Sequence, residues 1–143
     1  MAATSGVVPG FAWSDEFLVG VAEIDAQHRR LIEMISRFYE ALAEKKPAKR
    51  ALGELLRGLV DYTHHHFSTE QRLMARFEFP LSRAHHEQHD VFVRKVTDMA
   101  DRFSQGQLVL SIEATVFLRE WLTSHILGSD KQLGRHLTSR GVH

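Results

Sequence analysis

Residues 62–74 read YTHHHFSTEQRLM. They lie in a longer segment, from about 48 to 77, whose apolar residues fall on one seam. That seam runs Leu52, Leu56, Leu59, Thr63, His66, Glu70, Leu73, Phe77, in steps of three and four. Such spacing lines up one face of a helix, the face that goes into a core. His66 and Glu70 sit on that face one turn apart, where apolar side chains belong.

The same contradiction recurs outward from this stretch. Residues 22–45 predict a helix with the seam Ile24, His28, Leu31, Ile35, Phe38, Leu42. A third helix is expected from Ser82, read as its N-cap, with the seam His85, His89, Phe92, Val96, Met99, Phe103. A loop over Ser104–Leu110 carries Gly106. A fourth helix from Ser111 follows Ala114, Leu118, Trp121, His125. Gly128 is read as its C-terminal break, with a short tail helix over about 131–139. Pro9, Pro47 and Pro80 fall between the periodic runs and punctuate them. The basic run KKPAKR reads as a solvated loop. Residues 1–20 form an irregular arm anchored by Phe11, Trp13, Phe17 and Leu18. The expected fold is all-α: one domain over 21–140, an up-down-up-down antiparallel four-helix bundle preceded by that N-terminal arm and ending in a short C-terminal helix.

Composition narrows the function. The chain has 143 residues and 16.4 kDa, the size of one domain. It has no cysteine, which excludes disulfides, thiolate metal sites and a Cys nucleophile. Lys+Arg and Asp+Glu are 18 each, so there is no basic excess to attract nucleic acid, and no nucleic-acid partner is expected. The N-terminal MAATSGVVPG does not read as a signal peptide, and no apolar run reaches membrane-spanning length. The expected location is the cytoplasm. Ten histidines are the one unusual feature.

His28, His66, Glu70, His85, His89 and His125 all occupy seam positions. Each buried polar group without a partner costs roughly 1–3 kcal/mol, and six would consume most of a total stability of roughly 5–15 kcal/mol. A shared metal centre satisfies them together. His66 with Glu70, and His85 with His89, are i, i+4 pairs that present two ligands on one helix face. Asp130 follows His125 by five residues, a rotation of about 140° off the starting face. It joins the set only if the helix ends or bends first, for which Gly128 is suited. His64, His65 and His86 fall beside the seams and read as surface or supporting residues, His136 and His143 as solvent-exposed, and Glu23 and Asp25 as serving the start of the first helix.

Five imidazoles and two carboxylates are too many for one six-coordinate ion. Two ions bridged by both carboxylates and by one oxide or hydroxide would fill eleven of twelve positions, leaving one open for a small ligand. Iron, zinc, manganese and copper all suit such donors.

In its ligand-bearing stretches the chain resembles the bacterial hemerythrins, a family of non-haem di-iron oxygen-binding proteins. The matching segments are VGVAEIDAQHRRL (19–31), YTHHHFSTEQRLM (62–74), HHEQHDVF (85–92) and WLTSHILGSDKQL (121–133), and the likeness spans about 11–137. Gln71 stands where the family often has a second Glu, which is not a ligand position. The resemblance implies two irons bridged by Glu70, Asp130 and a solvent-derived oxide or hydroxide. It implies that His85, His89 and His125 hold the saturated iron, and His28 and His66 the iron with the open position. Dioxygen would bind there end-on and be held reversibly as hydroperoxide. Helical spacing and the resemblance together nominate Leu31, Phe67, Trp121, Leu122 and Ile126 as an apolar oxygen pocket. The implied function is reversible dioxygen binding for transport, storage or buffering, not catalysis, with an unidentified oxygen-consuming protein as client. An oxygen or redox sensor and a di-iron redox enzyme (oxidase, peroxidase or nitric oxide reduction) are the alternatives. Partners that would orient the imidazoles, and the oligomeric state, are not legible in the sequence.

Overall fold

The computed structural model describes residues 11–44, 49–106 and 112–143. Among them there is no strand. The chain runs through a 3₁₀ turn (Asp15–Phe17) and the helices α1 (Ala22–Leu42), α2 (Lys49–Arg76), α3 (Ser82–Ser104) and α4 (Ile112–His125). A π-helical turn (Ile126–Asp130) and α5 (Lys131–Ser139) complete it. This is the expected four-helix fold. The expected start of the fourth helix at Ser111, the seam residue Ala114, Pro9 and Pro47 fall outside the described positions or side chains.

Cross-helix contacts fix the directions. Along α1 and α2, Met34 meets Gly58, Gln27 meets His66, and Glu23 meets Arg72, one number falling as the other rises. Phe67 against Phe92 and Gly53 against Phe103 do the same for α2 and α3. Phe92 against Trp121 and Lys95 against Phe117 do so for α3 and α4. The helices are therefore antiparallel in sequence order, and the seams meet in one core that includes Ile24, Leu31, Ile35, Phe38, Leu56, Leu59, Phe92, Val96, Leu118 and Leu122. Each fully buried aliphatic or Phe side chain contributes roughly 1.5–3 kcal/mol.

The helix ends explain the connections. α2 closes as a Schellman turn: Phe79 N–H donates to Met74 O (3.0 Å) and Glu78 takes the left-handed conformation (φ 51°). Pro80 then prevents continuation. Ser82 is not an N-cap. It is the first helical residue of α3, and its hydroxyl instead donates to Phe79 O (2.7 Å). At α1, the Asp25 carboxylate accepts from Val19 N–H (2.8 Å) and Gly20 N–H (3.2 Å), as expected of an acid near a helix start.

The arm departs from its reading in one residue. Phe17 and Val19 are buried, Phe11 and Trp13 pack on the core edge, but Leu18 is exposed. The arm runs against α5, where a Cβ on Gly134 would stand 2.2 Å from Val19 O, so only glycine allows this approach. His136 is also not solvent-exposed. It is half-buried against Phe79, and its Nε2–H donates to Phe77 O (2.6 Å), a carbonyl just past the end of α2.

The largest departure is at Gly128. The helix neither ends nor breaks there. His125, Asp130 and Lys131 all have helical dihedrals, and the chain passes from α4 to α5 through the π turn. A π turn closes i→i+5 rather than i→i+4 bonds, which inserts one residue per turn and brings positions five apart toward the same face.

Candidate metal centre

That widened turn brings Asp130 under His125. α1 supplies His28, α2 supplies His66 and Glu70, and α3 supplies His85 and His89. All seven side chains are buried, none more than 4% exposed. The structure thus gathers every seam histidine and both carboxylates singled out in the sequence into one cluster.

The carboxylates divide it. Glu70 turns Oε2 toward His28 (3.4 Å) and His66 (3.2 Å), and Oε1 toward His85 (3.0 Å) and His89 (3.0 Å). Asp130 turns Oδ2 toward His28 (2.8 Å), and Oδ1 toward His85 (3.0 Å) and His125 (3.2 Å). Each carboxylate thus offers one oxygen to each of two sets. One set is His28, His66, Glu70 and Asp130; the other is His85, His89, His125, Glu70 and Asp130. Within each, the ligand atoms lie within 4.8 Å of one another. Atoms on opposite sides of an ion with bonds of about 2.0–2.2 Å would be about that far apart.

Several of these atoms lack hydrogen bonds. His28 Nε2, His66 Nε2, Glu70 Oε2 and both Asp130 oxygens are buried with no hydrogen-bond partner, although they face one another at close range. Orphaned donors and acceptors of this kind are rare in native interiors unless an ion or water serves them. The residues therefore fit a pair of cations.

The electrostatics agree. Burial works against the charged form of His28 and His85, but the Asp130 and Glu70 carboxylates beside them overcome it, pushing them up to about 10 and about 9. Burial dominates at His89, which falls to about 4 despite Glu70. Burial disfavours ionised Glu70, yet His66, His28 and His85 hold it well below the ordinary carboxylate range. Burial and Glu70 likewise oppose ionised Asp130, and His125 and His28 lower it nonetheless. The cluster is thus a set of mutually compensating charges that cations can replace.

Residues missed in the sequence orient the rings. His66 Nδ1–H donates to Gln27 Oε1 (2.8 Å). Gln27 Nε2–H donates in turn to Thr69 Oγ1 (3.1 Å), whose hydroxyl donates to His65 O (3.2 Å). His125 Nδ1–H donates to Gln88 Oε1 (2.8 Å), which also accepts from Ser129 Oγ (2.7 Å). Each bond turns Nε2 toward the centre and, in the neutral ring, selects the tautomer a metal needs. Gln27 and Gln88 each precede a seam histidine in the chain, which is a readable signal, but each serves a histidine on another helix.

Of the pocket candidates, Phe67 stacks on His89 (3.6 Å between ring centroids) and Trp121 stacks on His125 (4.6 Å). Leu31, Leu122 and Ile126 are core residues. A surface cleft of about 330 Å³, lined by Gln88, Trp121, Ser124, His125, Gly128 and Ser129, opens beside His125. His64, His65 and His86 are exposed, His86 pairing with Gln71 and Asp90. His143 is exposed as well. No described helix is long and apolar enough to cross a membrane.

With this geometry in view, comparison with known proteins is direct. Residues 19–137 match the family model described as the hemerythrin HHE cation binding domain. The chain is 37% identical over 119 residues to a bacteriohemerythrin of Stenotrophomonas maltophilia, covering 83% of this chain and 76% of that one. It is 29% identical over 124 residues to the bacteriohemerythrin of Methylococcus capsulatus, covering 87% and 93%. A crystal structure of wild-type hemerythrin superposes with a TM-score of 0.83 at 29% identity, covering 88% of this chain and 96% of the other.

Proposed function

Given that the chain belongs to the hemerythrin family, we propose that it binds dioxygen reversibly at a pair of iron ions. The supporting observation is the division of both carboxylates between two histidine sets. In this reading His85, His89 and His125 hold one iron and His28 and His66 the other, with Glu70 and Asp130 shared. The first iron then has five side-chain donors and the second four. The difference leaves room for a small ligand beside His28 and His66. A ferrous pair supplies the two electrons by which dioxygen is taken up and returned.

The protein's part is to orient and to exclude. Gln27 and Gln88 hold His66 and His125 in the metal-binding tautomer. Phe67 and Trp121 pack on the rings of His89 and His125, and the rest of the proposed oxygen pocket comes from Leu31, Leu122 and Ile126. A water-poor pocket of this kind protects a reactive ligand from side reactions. Among the described residues, the buried polar side chains beyond the seven ligands include Gln27, Thr63, Thr69 and, about three turns from His28 along α1, the Tyr39 phenol. Gln27, Thr63 and Thr69 are amide and hydroxyl groups that do not titrate as acid or base, which favours a carrier over an enzyme. The proposed setting is the cytoplasm, where a bound-oxygen store would serve an oxygen-consuming client.

The test is a visible absorption spectrum through repeated cycles of anaerobic reduction, admission of oxygen and purging with inert gas. Colour that appears with oxygen and bleaches on purging is expected. Colour that forms once and persists would overturn reversible binding in favour of a redox enzyme or sensor.

A further inference from the structure

Two buried polar side-chain atoms outside the seven ligands lack a hydrogen-bond partner among the described residues: Trp13 Nε1 in the arm and Thr63 Oγ1 in α2. Thr63 is only 1% exposed. A threonine inside a helix ordinarily returns its hydroxyl to the carbonyl one turn back. Thr69, on the same helix, does so with His65 O. Thr63 does not, so its buried hydroxyl carries an unmet cost of roughly 1–3 kcal/mol.

Its position gives that hydroxyl a use. Thr63 lies three residues before His66, on the same helix face. Helical side chains lean toward the N-terminus, so the His66 imidazole projects over the turn that carries Thr63. The register between α1 and α2, with Gln27 at His66 and Met34 at Gly58, sets Thr63 opposite the turn of Leu31. The register with α3, with Phe67 at Phe92 and Gly53 at Phe103, sets it between the levels of Phe92 and Val96. Thr63 is thus the polar member of an apolar layer next to the histidine set with four side-chain donors rather than five.

We infer that the Thr63 hydroxyl donates a hydrogen bond to the small ligand taken up beside His28 and His66, and so governs how long that ligand stays. The inference rests on the oxygen-binding reading above. It assigns Thr63 to retention of ligands that accept a hydrogen bond, dioxygen in the ferrous protein and small anions such as azide in the ferric one. An apolar residue of similar shape would fold as well or better but hold the ligand less.

The experiment compares full-length wild type with Thr63→Val and Thr63→Ser at equal iron content, with Thr63→Ala as a second apolar variant. Oxygen dissociation is followed by stopped flow and azide affinity by titration of the oxidised protein. Thr63→Val should release oxygen about five- to tenfold faster and weaken azide by a similar factor, the worth of one hydrogen bond. Thr63→Ser should stay within about twofold of wild type, because its hydroxyl is retained. The metal-free Thr63→Val protein should melt at or above the wild-type temperature, since an unsatisfied buried hydroxyl has been removed. Wild-type release and affinity in both apolar variants would overturn the inference while leaving oxygen binding intact. A lower melting temperature for metal-free Thr63→Val would overturn it too, by showing a structural hydroxyl. Absence of reversible oxygen uptake in wild type would remove the reading on which it rests.

Discussion

The two histidine sets around Glu70 and Asp130 are built differently. His85, His89 and His125 are backed by aromatic rings, Phe67 on His89 and Trp121 on His125, and their outer support, Gln88 and Ser129, opens on a surface cleft. His28 and His66 have two imidazoles rather than three, a buried relay through Gln27 and Thr69, and an apolar layer broken by one unpartnered hydroxyl. The first set is filled by packing and donors. The second is one donor short and enclosed. In the proposed reading, one set would hold an ion and the other an ion plus a guest.

The largest effect is expected where the two sets meet. Glu70, like Asp130, faces both, so Glu70→Ala should abolish paired metal binding, dropping iron content from about two per chain to one or none, with loss of the oxygen-dependent colour. Retention of two irons per chain, by elemental analysis after desalting, would show that the division is not what creates the pair.

A smaller contrast separates the two glutamines. Gln27→Leu strands the buried His66 Nδ1–H and should cost about 1–3 kcal/mol, seen as a fall in melting temperature. Gln88→Leu removes an equivalent bond at an exposed position, where water can replace it, and should cost under about 1 kcal/mol. Both should speed iron loss to a chelator, by about 10- to 100-fold. Equal destabilisation by the two changes would erase the contrast between an enclosed and an open side.

The mildest effect is on pH dependence. In protein stripped of metal, His28 and His85 hold protons up to about 10 and about 9. Their contribution to stability is present in full below about pH 6.5 and is lost as pH rises through those values. The depressed carboxylates of Glu70 and Asp130 act oppositely, contributing above about pH 4.5 and losing it as pH falls further. Metal binding must displace the histidine protons. The melting-temperature gain on metal loading should therefore be larger near pH 8.5 than near pH 6, and a gain that shrinks with rising pH would contradict the charge arrangement.

Much of this was legible in the chain. Helix periodicity exposed the seams, and histidines at seam positions marked a shared polar centre because nothing else satisfies so many buried groups at once. Asp130 was harder. At five residues from His125 it is off-face on an α-helix, and a break at Gly128 was the natural remedy. The structure instead widens the helix by one residue, and nothing in ILGSD distinguishes a π turn from a break. Gln27 and Gln88 were missed because polar residues beside a seam read as solvated, and only the register between helices shows which histidine each one reaches. His136 and Leu18 failed for the same reason: their surroundings are made by the docking of α5, α2 and the arm, contacts between segments far apart in sequence.

The most direct measurement of the central claim is gas uptake by the ferrous protein alongside its iron content. One dioxygen taken up per pair of irons, and recovered on lowering the oxygen pressure, is the expected result. Uptake of one dioxygen per iron, or uptake that cannot be recovered, would contradict a shared two-iron centre with a single place for the guest.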